Sequence, residues 1–246
     1  MKRLRPELLD PVVAYDRIAQ DYADFSLRRK AYLEKIEELI IARVLKGADS
    51  LLDIGAGAGE RTMRIAHAAA IKRVVLLEPS AEMRKGAAAS CDGASWGIWP
   101  IRAEELNPQE NKFDVITCLW NVLGHIPTAN RIDVLKRCQQ ALSPNGLFFL
   151  DVNHRYNMRA YGFWPTTARI LYDHIFPSVK NGDVVMRWKG LPYNTYGHVF
   201  RQNEMQTLIE SSGLKVVEKV FVDYQSGEIQ GSGFEGNLFY ALRRNA

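Results

Sequence analysis

The sequence predicts an α/β fold in which a mostly parallel sheet carries helices on both faces. Short apolar runs alternate with helical ones along residues 50–152, and this alternation is typical of parallel sheets. The first apolar run, residues 50–54, is followed by glycines at every second position: Gly55, Gly57 and Gly59. A glycine turn between a strand and a helix lets a ligand approach bare backbone and free N–H groups. The pattern therefore predicts a ligand site at the carboxyl edge of the sheet.

The composition is that of a globular protein, with 246 residues, of which 47% are hydrophobic and 24% charged. This length suits one domain, residues 1–246, with a modest insertion. The net charge of +4 permits a polyanion partner without requiring one. Three cysteines without a CxxC pair argue against a disulfide framework and a structural zinc site. The charged N-terminus and the absence of any membrane-length apolar run predict a cytoplasmic protein with no membrane partner.

The elements of the parallel part follow from their own patterns. Residues 1–48 are predicted to form an N-terminal helical cap, because apolar positions repeat at helical spacing as far as Gly47. Five strands are then expected at residues 50–54, 73–77, 97–102, 114–119 and 147–152. The helices between them are expected at residues 60–70, 81–90 and 129–141.

The C-terminal part departs from this alternation. A helix over residues 202–212 ends at Gly213, and strands are expected at 215–223 and 238–243. A long glycine-rich loop joins these two strands, which suits an antiparallel pair. The predicted sheet therefore has seven strands.

Residues 154–198, between the fifth strand and the last helix, form an insertion with many aromatic residues. They are Tyr156, Tyr161, Phe163, Trp164, Tyr172, Phe176, Trp188, Tyr193 and Tyr196. We expect this segment to cover the carboxyl ends of the strands, where open α/β sheets bind ligands, and to set substrate specificity. The alternative is that the aromatic residues only pack the insertion onto the domain.

The spacing G-x-G-x-G at Gly55 to Gly59 resembles motif I of the class I S-adenosylmethionine-dependent methyltransferases. A dinucleotide-binding turn instead has its third glycine three residues after the second. The resemblance covers approximately residues 12–153 and 200–243. It implies a Rossmann-like sheet with an antiparallel last strand, S-adenosylmethionine as cofactor and S-adenosylhomocysteine as product.

The resemblance also implies roles for residues at the strand ends. Glu78 ends the second strand 23 residues after Gly55, where an acid is placed to bind ribose hydroxyls. The leading acid of the family's adenine-binding segment is replaced here by Arg102. For Met83 and Tyr22 the alternative role is core packing. Arg29 is expected to bind the cofactor carboxylate, and the alternative is that it is only an exposed surface charge. The expected cofactor-binding residues are Tyr22, Arg29, Asp53, Gly55, Ala56, Gly57, Glu78, Pro79, Met83, Ala103, Glu104, Leu119 and Asn121.

The residues from Asn121 to Pro127 resemble the segment after motif IV of glycine and sarcosine N-methyltransferases. His125 is the candidate catalytic base, since its ordinary pKa suits proton transfer at neutral pH. Alternatively it ties the loop to a backbone carbonyl. The expected substrate-binding residues are Tyr15, Asn121, His125, Asn153 and Tyr156. No spacing of His, Asp or Glu indicates a metal site.

We therefore predict a methyltransferase that moves a methyl group by in-line displacement to nitrogen or oxygen of a small molecule. One alternative is an RNA methyltransferase acting on a tRNA base, although no basic tail or added RNA-binding module is visible and a nucleic-acid partner is not expected. Two others are a catalytically silent S-adenosylmethionine-binding subunit and a nicotinamide dehydrogenase. The sequence leaves the acceptor and the oligomeric state open.

Overall fold

Helices and strands alternate along the chain as the sequence predicts. The structure, a computed structural model, describes residues 6–44, 46–90, 95–109, 111–188 and 191–245. The strands in these ranges are β1 (Glu7–Leu9), β2 (Ser50–Ile54), β3 (Arg73–Leu77), β4 (Ser95–Trp99), β5 (Phe113–Cys118), β6 (Leu142–Val152), β7 (Asp183–Arg187), β8 (Tyr193–His198), β9 (Leu214–Val222), β10 (Ile229–Gln230) and β11 (Asn237–Arg244). The helices are α1 (Pro11–Ile18), α2 (Tyr22–Leu27), α3 (Lys30–Ile41), α4 (Glu60–Ala68), α5 (Ala81–Ser90), α6 (Arg131–Ala141), α7 (Met158–Tyr161), α8 (Phe163–Ile175) and α9 (Gln202–Ser211).

The central sheet has eight strands in the spatial order β10-β9-β11-β6-β5-β2-β3-β4. From β6 to β4 all neighbours are parallel, whereas β11 lies antiparallel between β6 and β9. The predicted mostly parallel sheet with an antiparallel last strand is therefore confirmed. The two-residue strand β10, which pairs with β9, adds an eighth strand to the seven predicted ones. The predicted strand 97–102 begins earlier as β4, and it ends at Trp99 because Pro100 has no N–H to continue the ladder.

Side chains of the central strands alternate between two hydrophobic layers, one on each face of the sheet. In β2, Leu52 and Ile54 pack into one layer and Leu51 into the other. In β6, Phe148 joins the first layer and Phe149 the second. This period of two follows from the strand pleat, and both faces are apolar because helices cover both. The rigid sheet fixes the carboxyl ends of β2, β3, β5 and β6, where the functional site lies.

The N-terminal segment and the insertion are joined by a small sheet of their own. β1, from the segment predicted to be helical, pairs in parallel with β8, and β7 pairs antiparallel with β8 to give a three-stranded sheet. The sequence pattern does not reveal β1, since three residues carry no periodic signal and its partner lies far along the chain. Leu9 and Tyr193 of this sheet share a small core with Met83 of α5. Residues 1–5 of the predicted cap lie outside the described part of the chain.

The aromatic insertion is only partly directed toward the domain. α8 leaves Phe163, Trp164, Tyr172 and Phe176 exposed, with Trp164 78% accessible. These four side chains therefore do not pack the insertion onto the domain, and the cover over the strand ends stays a prediction. Inside the insertion, Asp173 on α8 forms a buried ion pair with Arg155 at 2.6 Å, which anchors α8 beside the end of β6.

Candidate functional site

The glycine turn after β2 brings bare backbone to the carboxyl edge of the sheet. Gly55 has a φ of +70° and Gly57 a φ of +59°, angles that residues with side chains rarely adopt. At Gly55 a Cβ atom would lie 2.7 Å from a methyl carbon of Val122, so no larger residue fits. At Gly57 a Cβ atom would project to 3.9 Å from the Tyr22 ring. The turn therefore leaves an open slot between its backbone and Tyr22.

The carboxylate of Glu78 is fixed against this turn. Glu78 follows β3 directly and accepts hydrogen bonds from the backbone N–H groups of Gly57 and Ser80, each at 2.8 Å. Each bond goes to a different carboxylate oxygen, so each oxygen keeps a further acceptor position. Burial raises the pKa of Glu78, while the N–H groups of Ser80 and Gly57 act to lower it. Glu78 thus presents two acceptor positions beside the turn.

A cavity of about 350 Å³ runs along the turn, and we call it the main cavity. Its volume lies in the range of small-ligand sites. The predicted cofactor residues that line it are Tyr22, Gly55, Ala56, Gly57, Glu78, Pro79, Met83, Ala103, Glu104 and Leu119. The predicted substrate residues that line it are Tyr15 and His125. Residues separated by up to about a hundred positions in sequence therefore meet around one space at the ends of β2, β3 and β5.

Aromatic rings form part of the wall of the main cavity. The Tyr22 ring lies 5.8 Å from that of Tyr15 and 5.7 Å from that of Trp120, measured between ring centroids. Trp188 of the insertion does not line the cavity but supports Tyr15, with its ring centroid 5.5 Å from that of Tyr15. These spacings are those of favourable edge-to-face or tilted aromatic pairs. The N-terminal helices and the loop after β5 therefore meet around the cavity, and the insertion packs behind Tyr15.

His125 and Tyr15 form a hydrogen-bonded pair at this wall. Nδ1 of His125 lies 3.0 Å from the carbonyl oxygen of Tyr196, which only accepts, so this nitrogen donates. Nε2 is then free to accept from the Tyr15 hydroxyl at 3.1 Å. Burial lowers the pKa of His125 and raises that of Tyr15 well above its usual value. The pair is therefore a neutral imidazole with its lone pair directed at a neutral phenol.

Two successive residues after β5 adopt left-handed backbone angles. Trp120 and Asn121 both have a φ of +59°, a strain that persists only where the surroundings hold it. The N–H of Trp120 donates to the Asp151 carboxylate, and the N–H of Asn121 donates to the Asp151 carbonyl at 3.3 Å. The turn places the Trp120 indole on the main cavity, and its Nε1 donates to the Tyr224 hydroxyl at 3.2 Å.

Comparison with known proteins identifies the class to which this site belongs. Residues 25–219 match a family described as a methyltransferase domain. The chain belongs to this family. The predicted class I S-adenosylmethionine-dependent methyltransferase is thereby confirmed, both as an enzyme class and in its cofactor.

Individual relatives agree in fold and differ in what they act on. The N-terminal Xaa-Pro-Lys N-methyltransferase 1 of Xenopus tropicalis is 32% identical over 105 residues, 42% of this chain and 46% of that protein. The chain thus spans about half the length of the curated relatives it matches. A solved 1,6-didemethyltoxoflavin-N1-methyltransferase of Burkholderia thailandensis is 16% identical with a TM-score of 0.66, over 96% of this chain and 87% of that one. An S-adenosylmethionine-dependent methyltransferase of Leishmania major is 22% identical with a TM-score of 0.63, over 94% and 81%.

Two predicted site residues of this methyltransferase are buried and do not line the main cavity. Asp53 is buried and accepts hydrogen bonds from the hydroxyls of Thr62 and Thr117, the latter at 2.7 Å. Asn121 is also buried, since its side-chain amide donates to the His198 carbonyl at 3.1 Å. These contacts hold the glycine turn and the loop after β5 in place.

Three further predicted residues of the methyltransferase also lie away from the main cavity. Arg29 and Asn153 line a second cavity together. Tyr156 donates from its hydroxyl to Asp173 at 2.8 Å, and burial together with this acid raises its pKa to about 12. The sequence placed these residues near the correct edge of the sheet but did not give the direction of their side chains.

Arg61 lines the main cavity, although no motif in the sequence indicates it. It is the second residue of α4, directly after the glycine turn, and its Nε atom is buried with no hydrogen-bond partner among the described residues. A buried guanidinium N–H without an acceptor costs free energy that a bound acceptor restores. Burial raises the pKa values of Asp53 and Tyr22, and the nearby charge of Arg61 acts in the opposite direction. The sequence signal, an arginine opening the helix after the turn, is equally typical of an exposed helix surface.

The remaining predictions concern cysteines, metals and membranes. Cys118 and Cys138 are buried, and burial raises both pKa values, that of Cys138 to about 12, so these thiols stay protonated. Cys91 lies outside the described residues. Within the described ranges, no group of three or more His, Cys, Asp or Glu is placed to hold a metal ion. In those same ranges, no helix is both long and apolar enough to cross a membrane.

Proposed function

We propose that this methyltransferase transfers the methyl group of S-adenosylmethionine to nitrogen or oxygen of a small-molecule acceptor. The observation that carries the proposal is the Glu78 carboxylate, fixed by Gly57 and Ser80 with one acceptor position left on each oxygen. A ribose diol offers two hydroxyl donors at neighbouring carbons and so matches this pair of positions. We also propose that residues 1–48 and 154–198 act as one cap, and that the protein works in the cytoplasm, on the basis of its few cysteines.

The other parts of the cofactor are assigned by the chemistry of the lining. Met83, 2% exposed, offers a polarizable face for the adenine ring. The Ala103 backbone N–H and the Glu104 carboxylate are proposed to read the adenine edge. Gly55, Ala56 and Gly57 supply the bare backbone beside which the ribose and methionine portions lie.

Arg61 is proposed to bind the cofactor's carboxylate, the role that the sequence analysis gave to Arg29. Arg61 lines the main cavity and its buried Nε has, in the described part of the chain, no hydrogen-bond acceptor, which a bound carboxylate would supply. Arg29 does not line the main cavity. A guanidinium matches a carboxylate with two parallel hydrogen bonds. Tyr22 and Leu119 are proposed to cover the methionine portion on its apolar sides.

The acceptor's proton is assigned to the Tyr15–His125 pair. When bound, S-adenosylmethionine supplies a methyl group that is electrophilic because it is attached to a positively charged sulfur. The chain must exclude water, align the nucleophile and accept its proton where it carries one. Tyr15 lines the main cavity and its hydroxyl donates to Nε2 of His125, so we assign to this hydroxyl the role of taking the proton of a nucleophile while passing its own to the imidazole.

A second candidate acceptor is the α-amine of a peptide. The sequence match to the N-terminal Xaa-Pro-Lys N-methyltransferase 1 of Xenopus tropicalis favours it. An amine that is already neutral when bound needs no base, so loss of His125 would leave its methylation largely intact. A small-molecule phenol or alcohol would depend on the base.

Calorimetry and labelling test the proposal. Purified protein titrated with S-adenosylhomocysteine should release or absorb heat with one-to-one stoichiometry, and absence of binding would overturn the assignment. Protein incubated with methyl-labelled S-adenosylmethionine and a cell extract should label a product below peptide size. A labelled peptide would favour the second candidate, labelled RNA would revive the RNA methyltransferase, and binding without any labelled product would indicate a silent subunit.

A further inference from the structure

A second cavity of about 160 Å³ lies at the same edge of the sheet and has no role in the proposed function so far. It lies between the end of β6, the start of β11, the segment after β9, α7 and the α2–α3 connection. Its lining includes one acid, Asp223, and the polar residues Arg29, Asn153, Arg159, Tyr161 and Tyr224. We call it the arginine cavity.

Arg29 is the uncompensated charge of the arginine cavity. Its guanidinium carbon lies 4.2 Å from the centroid of the Tyr224 ring, a cation–π contact that uses none of its N–H donors. No acidic side chain in the described ranges forms an ion pair with it. The other lining arginine, Arg159, already pairs with Asp223 at 3.6 Å. The lining therefore carries a net positive charge that resides on Arg29.

Neutral donors complete the site. Burial raises the pKa of Tyr161 to about 12, so its hydroxyl keeps its proton and can donate. Arg169 lies 4.5 Å from the Tyr161 ring centroid, and its Nη1 is buried without a partner among the described residues, which adds positive potential behind the phenol. Asn153 already uses its side-chain oxygen to accept from Asn237 at 2.9 Å, which leaves its amide N–H groups to donate. A guanidinium with neutral N–H and O–H donors nearby has the chemistry that binds a carboxylate.

The arginine cavity and the main cavity share a wall. Tyr224 lines the arginine cavity, Trp120 lines the main cavity, and the indole N–H of Trp120 donates to the Tyr224 hydroxyl at 3.2 Å. The same Tyr224 ring carries the Arg29 guanidinium on its face. A molecule held at Arg29 therefore lies next to the aromatic wall of the main cavity.

We propose that the arginine cavity binds a carboxylate of the methyl acceptor, with Arg29 as its principal partner. The acceptor is then a carboxylic acid that also carries the nitrogen or oxygen to be methylated. The inference rests on the proposed function, because an acceptor site has meaning only beside a methyl donor. It assigns Arg29 to the acceptor and leaves the carboxylate of the donor to Arg61.

The test uses the whole chain saturated with S-adenosylhomocysteine, titrated with benzoate and with its neutral isostere benzamide in a buffer free of carboxylates. Benzoate should bind at least about tenfold more tightly than benzamide, as expected for a charge-assisted pair. Arg29→Gln should abolish that preference and leave affinity for S-adenosylhomocysteine within about twofold of the original protein. Arg28→Gln, which changes the neighbouring exposed arginine, should preserve both.

The controls separate this inference from the proposed function. Failure of the unaltered chain to bind S-adenosylhomocysteine would remove the proposed function itself, and is seen before any acid is added. Equal affinity for benzoate and benzamide, or no binding of either, would overturn the carboxylate site alone. Tighter binding of inorganic phosphate than of benzoate would also overturn it. If Arg29→Gln unfolds, Tyr161→Phe should lower the affinity for benzoate by about threefold or more and leave the affinity for benzamide unchanged. An unchanged affinity for benzoate would contradict the carboxylate site.

Discussion

The carboxylate of Asp151, at the end of β6, accepts the backbone N–H of Trp120 and the hydroxyl of Tyr32, the latter at 2.6 Å. Through these two bonds a buried acid in one strand holds the strained turn after the neighbouring strand, and links it to α3. The position of the Trp120 indole between the two cavities depends on that turn.

Asp151→Ala should destabilise the protein and weaken ligand binding together. It leaves the Trp120 N–H and the Tyr32 hydroxyl buried without an acceptor, at a cost of about 1–3 kcal/mol each. For a chain of this size the melting temperature should fall by about 4 °C or more. Calorimetric unfolding with and without S-adenosylhomocysteine measures both effects. Tyr32→Phe, which removes one donor only, should cost less, and an Asp151→Ala variant as stable as the original would contradict this role.

Glu78→Gln should weaken binding of S-adenosylhomocysteine by at least about tenfold, because the amide group has one acceptor oxygen for the N–H groups of Gly57 and Ser80. Burial raises the pKa of Glu78 above its usual value of 4.5. As the pH falls, binding of S-adenosylhomocysteine by the original protein should therefore decline at a higher pH than protonation of an exposed glutamate would predict. This decline should be absent in Glu78→Gln. Titration calorimetry over a pH series checks both statements. Glu82→Gln, which alters a surface pair with Lys85, serves as the control.

Much of this edge of the sheet could be predicted from sequence because the signals are local. The run before Gly55, the glycine spacing and Glu78 after β3 are each read from adjacent residues, and the structure gathers them around one cavity. The pairing of β1 with β8 could not be predicted, since it joins residues such as Leu9 and Thr195 that no local pattern connects.

Side-chain direction is the other property that the sequence does not give. Asn121 has the residue type expected of a ligand contact, yet its left-handed backbone turns the amide toward His198. The sequence resemblance selected Arg29 as the carboxylate partner and gave no such signal for Arg61. Only the packing of Arg29 on Tyr224 and the position of Arg61 on the main cavity separate them.

Arg61→Gln should therefore discriminate between ligands that differ only in the amino-acid end. Affinity for S-adenosylhomocysteine should fall by about tenfold or more, since a charge-assisted carboxylate pair is lost. Affinity for 5′-methylthioadenosine, which lacks the carboxylate, should change by less than about twofold. Competition calorimetry with both ligands measures the ratio. Equal losses for the two ligands would mean that Arg61 only supports the fold of the turn, and a selective loss in Arg29→Gln instead would restore the original assignment.

His125→Ala should lower turnover of an acceptor that carries a proton by about tenfold or more, with little effect on binding of S-adenosylhomocysteine. Tyr15→Phe, which keeps the ring and removes the hydroxyl, should lower turnover in the same way, because it removes the hydroxyl that donates to Nε2 of His125 and is proposed to relay the proton. Single-turnover rates for both variants provide the measurement. His67→Ala, an exposed histidine on α4, is the matched control, and unchanged turnover in His125→Ala would rule out the base.

The pH dependence of turnover and of stability provides an independent test of the Tyr15–His125 pair. Burial lowers the pKa of His125 from its ordinary 6.5, so the folded protein holds this proton less tightly than the unfolded chain does. The stability that neutral His125 contributes is therefore complete above pH 6.5. It is lost as the pH falls below 6.5 and passes through the lower pKa that His125 has in the folded protein. Turnover should decline over the same acidic range, because protonated Nε2 no longer accepts from Tyr15. In His125→Ala both the acidic decline in rate and this share of the pH-dependent melting temperature should disappear; an unchanged profile would show that another group titrates.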